Sequence, residues 1–219
     1  ATPLVLSVHS VVSWDFAMAL VPGWHATLFA PYFVAGAIYS GCAMVITLIV
    51  PIRRLFQLED LITVDHFENL AKLCLLTGMI VGFAYTTEYF VAWFSGSPTE
   101  RAAFWYRAFG PYWWAGWTMI ICNGFLPLLL WSKKVRTNLT SLFVISIFVN
   151  IGMWFERFVI IVVSLAGEPF DRWANGGYNP TWADWGIMAG SFGWFFMWFL
   201  LFVKNFPAVA ISEIKEVLP

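Results

Sequence analysis

The sequence predicts an all-α fold, a polytopic transmembrane helix bundle of about six membrane-spanning segments. Three observations carry that prediction. Of 219 residues, 60% are hydrophobic and only 11% charged, with a mean hydropathy of +0.74. A soluble domain of this length needs far more charge to cover its surface. The apolar residues fall into six stretches, each near the ~20 residues that cross a bilayer. Between them lie connectors built from turn, breaker and basic residues.

The stretches are residues 1–20, 31–52, 70–94, 111–131, 139–165 and 184–203. The first has no charged anchor on its N-terminal side and already reads as the inside of a helix. The chain is therefore expected to begin partway through a longer polypeptide, with N-terminal helices before it. The next boundaries are set by Pro22-Gly23, by Pro51 with Arg53-Arg54, and by Gly96-Ser97-Pro98. Ser132-Lys133-Lys134 and then Gly176-Gly177 with Asn179-Pro180 mark the last two. The bundle is expected over 1–203. The tail, 204–219, alternates Ile211, Ile214, Val217 and Leu218 with Glu213, Lys215 and Glu216, and reads as a short amphipathic cytoplasmic segment.

Basic residues set the orientation. Arg53, Arg54, Lys72, Lys133, Lys134, Arg136, Lys204 and Lys215 fall on one side, which the positive-inside rule makes cytoplasmic. Arg101, Arg107 and Arg172 fall on the other, positive side. Connectors 22–30, 95–110 and 167–183 share that side with Trp24, Trp105, Tyr106, Tyr112, Trp113, Trp114, Trp173, Trp182 and Trp185. An interfacial aromatic belt accounts for most of these rings. The net charge of −1 says nothing about nucleic acid by itself, and with no basic patch to hold phosphates no nucleic-acid partner is expected. Cys42, Cys74 and Cys122 lie in apolar runs without CxxC spacing, so no metal is expected in this chain.

Against this background the ionisable residues at membrane depth stand out. A charge there costs at least ~2.5–3.5 kcal/mol on an insertion scale, so it needs a buried partner or a pathway to serve. Glu156 and Arg157 are adjacent in the fifth stretch, ~100° apart around a helix, and each is expected to pair with a group on another helix. Asn123 and Asn150 are amides that could satisfy them. Glu88 sits in a polar cluster one turn after Tyr85, on the same helix face. Both sets fit either a proton route or hydrogen-bonded structural groups. His9 and Asp15 share the first helix, ~9 Å apart along its axis and pointing in different directions, so no direct contact between them is expected. They suit two acceptors reaching a ring-shaped ligand such as a quinol, whose two hydroxyls must each lose a proton. A capping Asp and an interhelical His bond fit equally. Asp65, His66 and Glu68 lie where a helix starts, with Asp65 as cap and Glu68 at capping-box spacing, or else form a cytoplasmic proton entrance. His25 is a connector residue that could line a ligand entrance.

Longer runs carry a family resemblance. These are Ser13-Trp14-Asp15-Phe16-Ala17 with Leu20-Val21-Pro22-Gly23-Trp24-His25, and Ala30-Pro31-Tyr32-Phe33-Val34-Ala35-Gly36-Ala37-Ile38-Tyr39-Ser40-Gly41. Val64-Asp65-His66-Phe67-Glu68-Asn69-Leu70 and Met153-Trp154-Phe155-Glu156-Arg157-Phe158 complete the set. Together they resemble the NrfD/polysulfide-reductase membrane-subunit family, nearest to the larger quinol-binding subunit of bacterial alternative complex III. The resemblance implies the C-terminal portion of a multi-pass subunit of the bacterial inner membrane. It implies a menaquinol or quinone bound near the positive side by His9 and Asp15, with Trp14 and His25 beside it. It also implies electron delivery to an iron–sulfur-cluster subunit on that side. A second NrfD-like membrane subunit, cytochrome c-containing subunits and lipids are the other implied partners, with iron–sulfur clusters and haem c confined to partner subunits. The polar residues at depth, Glu88, Glu156 and Arg157, match positions at which such subunits are proposed to conduct protons.

Overall fold

In a computed structural model, residues 2–24, 26, 28–166 and 178–206 are described. They contain helices and no strand, and five helices are long and apolar enough to cross a membrane. The chain divides into two compact units, Ala1–Arg172 and Trp173–Pro219.

The first unit opens with α1 (Thr2–Ala17), at 16 residues shorter than a full span. α2 (Phe29–Leu55) follows, with Pro51 in its last turns and Arg53 and Arg54 where the dipole favours cations. α3 (Val64–Phe94) starts six residues before the apolar stretch. Its N-cap is Thr63, in a capping box closed by His66 rather than by the expected Asp65 and Glu68. The imidazole Nδ1 accepts from the Thr63 backbone N–H at 3.2 Å and lies 2.8 Å from its hydroxyl. Glu68 instead pairs with Lys72 at 3.2 Å and Arg136 at 3.5 Å.

The 95–110 connector holds a helix of its own, α4 (Pro98–Phe109). Ser97 caps it by accepting from the Glu100 N–H, and Pro98 occupies the first turn, where its missing N–H costs nothing. α5 (Trp113–Trp131) is not uniform. It is α-helical to Ile120, opens into a π turn over Ile121–Phe125, and tightens to a 3-10 helix over Leu126–Trp131. Pro127 explains the break: its ring cannot donate and would strike the carbonyl of Asn123, four residues back. After a helical turn at Lys133–Arg136 comes α6 (Leu139–Ala166), which carries a second π turn over Val159–Val163.

α2 is the centre of this unit, packed on α1, α3 and α6, while α5 lies against α3 and α6. Tyr39, Phe29, Ile46, Leu142 and Val149 fill the interface, and the three cysteines are buried and free. Close approach depends on one glycine in particular. A Cβ on Gly152 of α6 would strike Asn123 Oδ1 and stand 2.5 Å from Cys122 Cβ. The outward surface is apolar, with Phe83, Phe90, Phe125 and Trp131 exposed as lipid contact demands. Connectors 18–28 and 95–112 lie at what is termed here the aromatic end, and the α2–α3 connector with Lys133–Arg136 at the basic end.

In the second unit, α7 (Trp182–Asn205) begins two residues before the expected stretch because Thr181 and Asp184 form a capping box. Both the Thr181 N–H and its hydroxyl donate to Asp184 Oδ2 at 2.7 Å. The amphipathic tail from 207 onward lies outside the described residues.

Candidate functional site

Two groupings of polar side chains stand out in the first unit. One is sealed inside the bundle. Ile145, Val149, Gly152 and Glu156 recur on the inward stripe of α6, so Glu156 is carried into the core and is only 1% exposed. The Tyr85 hydroxyl of α3 donates to Glu156 Oε2. Tyr85 in turn accepts from Asn123 Nδ2 at 3.0 Å. The Tyr32 ring of α2 stands edge-on to Tyr85, centroids 5.8 Å apart, and its hydroxyl also interacts with the Glu156 carboxyl. Four helices thus converge on one carboxyl group.

Arg157 does not find its partner elsewhere, as the sequence suggested. Its long side chain curls back so that Nη1 lies 3.2 Å from Glu156 Oε1. The guanidinium then rests over the Phe33 ring at 4.5 Å. Gly36 packs beside this pair, where a Cβ would crowd only the Met153 methyl, at 3.3 Å. Of the two amides, only Asn123 joins this cluster. Asn150 donates to Thr47 Oγ1 at 3.1 Å and to Ser146 O at 2.9 Å, a separate ladder nearer the basic end.

Glu88 lies one turn beyond Tyr85 towards the aromatic end, with Oε1 buried and without a hydrogen-bond partner among the described residues. It is coupled electrostatically to Glu156 on one side and to Arg107 and Glu100 on the other. Arg107, on α4, is a buried cation whose Nη2 donates to Gly23 O at 3.0 Å and Ser164 Oγ at 2.8 Å. Glu100 accepts the Gly23 N–H at 3.1 Å, and the Trp24 indole donates to Ile160 O at 2.6 Å. The π turn of α6 supplies that carbonyl, freed from the ordinary ladder. Gly23 (φ +80°) is required there, because a Cβ would fall 2.5 Å from Arg107 Nη2. The α1–α2 connector is therefore fastened to α4 and α6. Sequence reading missed this fastening, having counted Arg107 only for topology.

The second grouping is on α1. Ser13, Phe16 and Ala17 face inward, and Phe16 packs on Trp24 at 5.0 Å and Phe33 at 5.4 Å. His9 is half-buried, while Trp14 and Asp15 are exposed on the side of α1 away from α2. His9 Nδ1 lies 2.9 Å from Val5 O. A carbonyl only accepts, so Nδ1 carries the hydrogen, and the neutral ring presents Nε2 as a bare acceptor. Asp15 has no hydrogen-bond or ion-pair partner among the described residues. His9 and Asp15 are not in contact: they are ~9 Å apart along the axis and ~120° apart around it, His9 on the flank of the Ser13 stripe and Asp15 on the exposed side. An imidazole nitrogen and a carboxyl group are the two polar groups that this helix offers to a ligand.

The remaining candidates are distributed differently. Asp65, His66 and Glu68 lie at the basic end, Glu68 ~25 Å along α3 from Tyr85, and the structure does not bring them to the Glu156 cluster. His25 lies outside the described residues. A cleft of about 690 Å³ at the aromatic end is lined by Trp93, Arg101, Trp105, Tyr106 and Phe109 among others, and includes neither His9 nor Asp15. It holds no carboxylate or imidazole, and Arg101 is occupied in donating through Nε and Nη2 to Trp93 O.

The family model described as polysulphide reductase, NrfD, matches residues 1–166, all of α1 to α6. No curated protein matches the chain significantly.

Proposed function

The chain belongs to the polysulphide reductase NrfD family, whose members are multi-pass membrane subunits of redox enzyme complexes, and from that premise we propose that it is a quinol-oxidising subunit. Menaquinol binds at the outer side of α1, near the positive face of a bacterial inner membrane. Electrons go to an iron–sulfur subunit on that face, in an assembly of the alternative complex III kind with a second related membrane subunit and cytochrome c-bearing subunits. The observation that carries this reading is the state of α1: a half-buried His whose Nδ1 is tied to Val5 O, and an exposed Asp without a hydrogen-bond or ion-pair partner among the described residues.

A bound quinol supplies the redox chemistry, releasing two electrons to the iron–sulfur partner and two protons as it becomes the quinone. The chain's residues orient the ring and take the protons. His9 Nε2 accepts a hydrogen bond from one hydroxyl and takes its proton. Asp15 takes the proton of the other hydroxyl and, lying near the aromatic end, passes it to water. Trp14 flanks the headgroup, and His25 stands at the entrance. Because the connector after α1 is fastened through Gly23 to Glu100 and Arg107, the end of α1 carrying Asp15 is held in place. Glu156, Arg157, Tyr85 and Glu88 form a second, buried route along which a proton moves between the middle of the bundle and the aromatic end. Asp65, His66 and Glu68 lie at the far, basic end of α3, where they would serve only as a cytoplasmic entrance, with His66 closing the cap and Glu68 paired with Lys72 and Arg136.

Replacing His9 by Phe keeps an aromatic ring and removes Nε2. Steady-state quinol oxidation by the assembled complex is expected to lose about tenfold or more in kcat/KM, with KM raised. Unchanged kinetics would remove His9 from the site.

A further inference from the structure

The chain of bonds ending on Glu156 has a direction, and Asn123 sets it. Asn123 is fully buried, turned inward by the π turn that Pro127 imposes on α5. Its Nδ2 donates to Tyr85, and Tyr85 donates to Glu156 Oε2. The other arm of the amide is idle: Oδ1 faces Gly152 and has no hydrogen-bond partner among the described residues. A buried acceptor without a partner is costly and rare, and asks for an explanation.

The hydroxyl of Tyr85 has one hydrogen. While Glu156 is ionised, that hydrogen points to the carboxylate and the lone pairs of Tyr85 receive Asn123 N–H. Once Glu156 carries a proton on Oε2, its own O–H can donate to Tyr85. The Tyr85 hydrogen must then turn to another acceptor. A half-turn of the Asn123 amide brings Oδ1 to the position now held by Nδ2. Among common side chains of this size and shape, only an amide offers a donor and an acceptor related by such a turn. Tyr32, the other hydroxyl at the carboxyl, already interacts with both Glu156 and Tyr85.

We propose that Asn123 is a positioning residue for the buried proton route, its amide reversing between donor and acceptor as Glu156 loses and gains a proton. The proposal rests on the reading of Glu156 as a proton carrier. No bond other than O–H is made or broken: one proton arrives at or leaves Glu156, and the Asn123–Tyr85–Glu156 bonds reverse together.

Infrared difference spectra of the assembled complex, recorded between acid and alkaline pH, test this without reference to turnover. A Glu156 band, identified by its loss in Glu156→Gln, is expected to appear together with a shifted side-chain amide C=O band. That amide band should vanish in Asn123→Leu and also in Glu156→Gln. Labelling asparagine side chains of the wild-type complex with ¹⁵N should displace it, which keeps the test valid if Asn123→Leu fails to assemble. A Glu156 band with no asparagine amide band beside it, or no titrating Glu156 band at all, overturns the proposal. If the paired bands are present while Glu156→Gln turns over at the wild-type rate, the amide reversal stands and the proton route fails.

Discussion

Asp15→Asn is expected to lower steady-state quinol oxidation by about a hundredfold or more, the range typical of losing a positioned acid–base group, while the complex assembles normally. The side chain keeps its shape and exposure, and it breaks no bond, because Asp15 has no hydrogen-bond or ion-pair partner among the described residues. What it loses is the ability to accept a proton, since a neutral amide is not a base near neutral pH. The loss should therefore fall in kcat more than in KM. A structural role for Asp15, such as helix capping, predicts the opposite pattern: weakened assembly with near-normal turnover in whatever complex remains.

Glu156→Gln is expected to slow turnover by about tenfold without disturbing quinol affinity, because the residue is sealed in the bundle core with α2 between it and α1. Gln preserves volume, and its carbonyl oxygen still accepts from Tyr85, so the bundle should hold. Truncation is different. Glu156→Ala leaves the Tyr85 hydroxyl without its acceptor, at about 1–3 kcal/mol for a buried orphaned group, and strips Arg157 of its counter-charge. That variant should yield less assembled complex, measured by recovery of the intact complex after purification. Normal turnover in Glu156→Gln would leave the cluster a structural knot of four helices.

The spans were legible because hydropathy is local: each apolar stretch of the sequence overlaps one helix, and five of those six helices are long enough to cross a membrane. The ends were less so. α3 begins at Val64 because Thr63 and His66 cap it, and polar residues of a cytoplasmic turn carry no hydropathy signal. α4 was readable in principle from Ser97-Pro98-Thr99-Glu100, a cap, a first-turn proline and an acid at the third position, but it was hidden inside a connector. The π turn in α5 follows from Pro127. Long-range partners are another matter. The bond from Arg107 to Gly23 joins residues 84 apart, and Tyr85 to Glu156 joins residues 71 apart, so neither leaves a local pattern. The pairing of Glu156 with Arg157 was misjudged for a simple reason: ideal helix angles describe Cβ directions, not where a long guanidinium ends. The half-burial of His9 and the exposure of Asp15 depend on which side of α1 meets α2, a packing choice that the nearly uniform apolarity of that helix conceals.

The central claim, a quinol site on α1, is tested most directly by photolabelling the assembled complex with an azido-quinone and mapping the modified peptides by mass spectrometry. Label in the segment containing His9, Trp14 and Asp15, lost when excess unmodified quinone is present, is the predicted result. Competable label confined to the Trp93–Phe109 cleft, with none on α1, would contradict it.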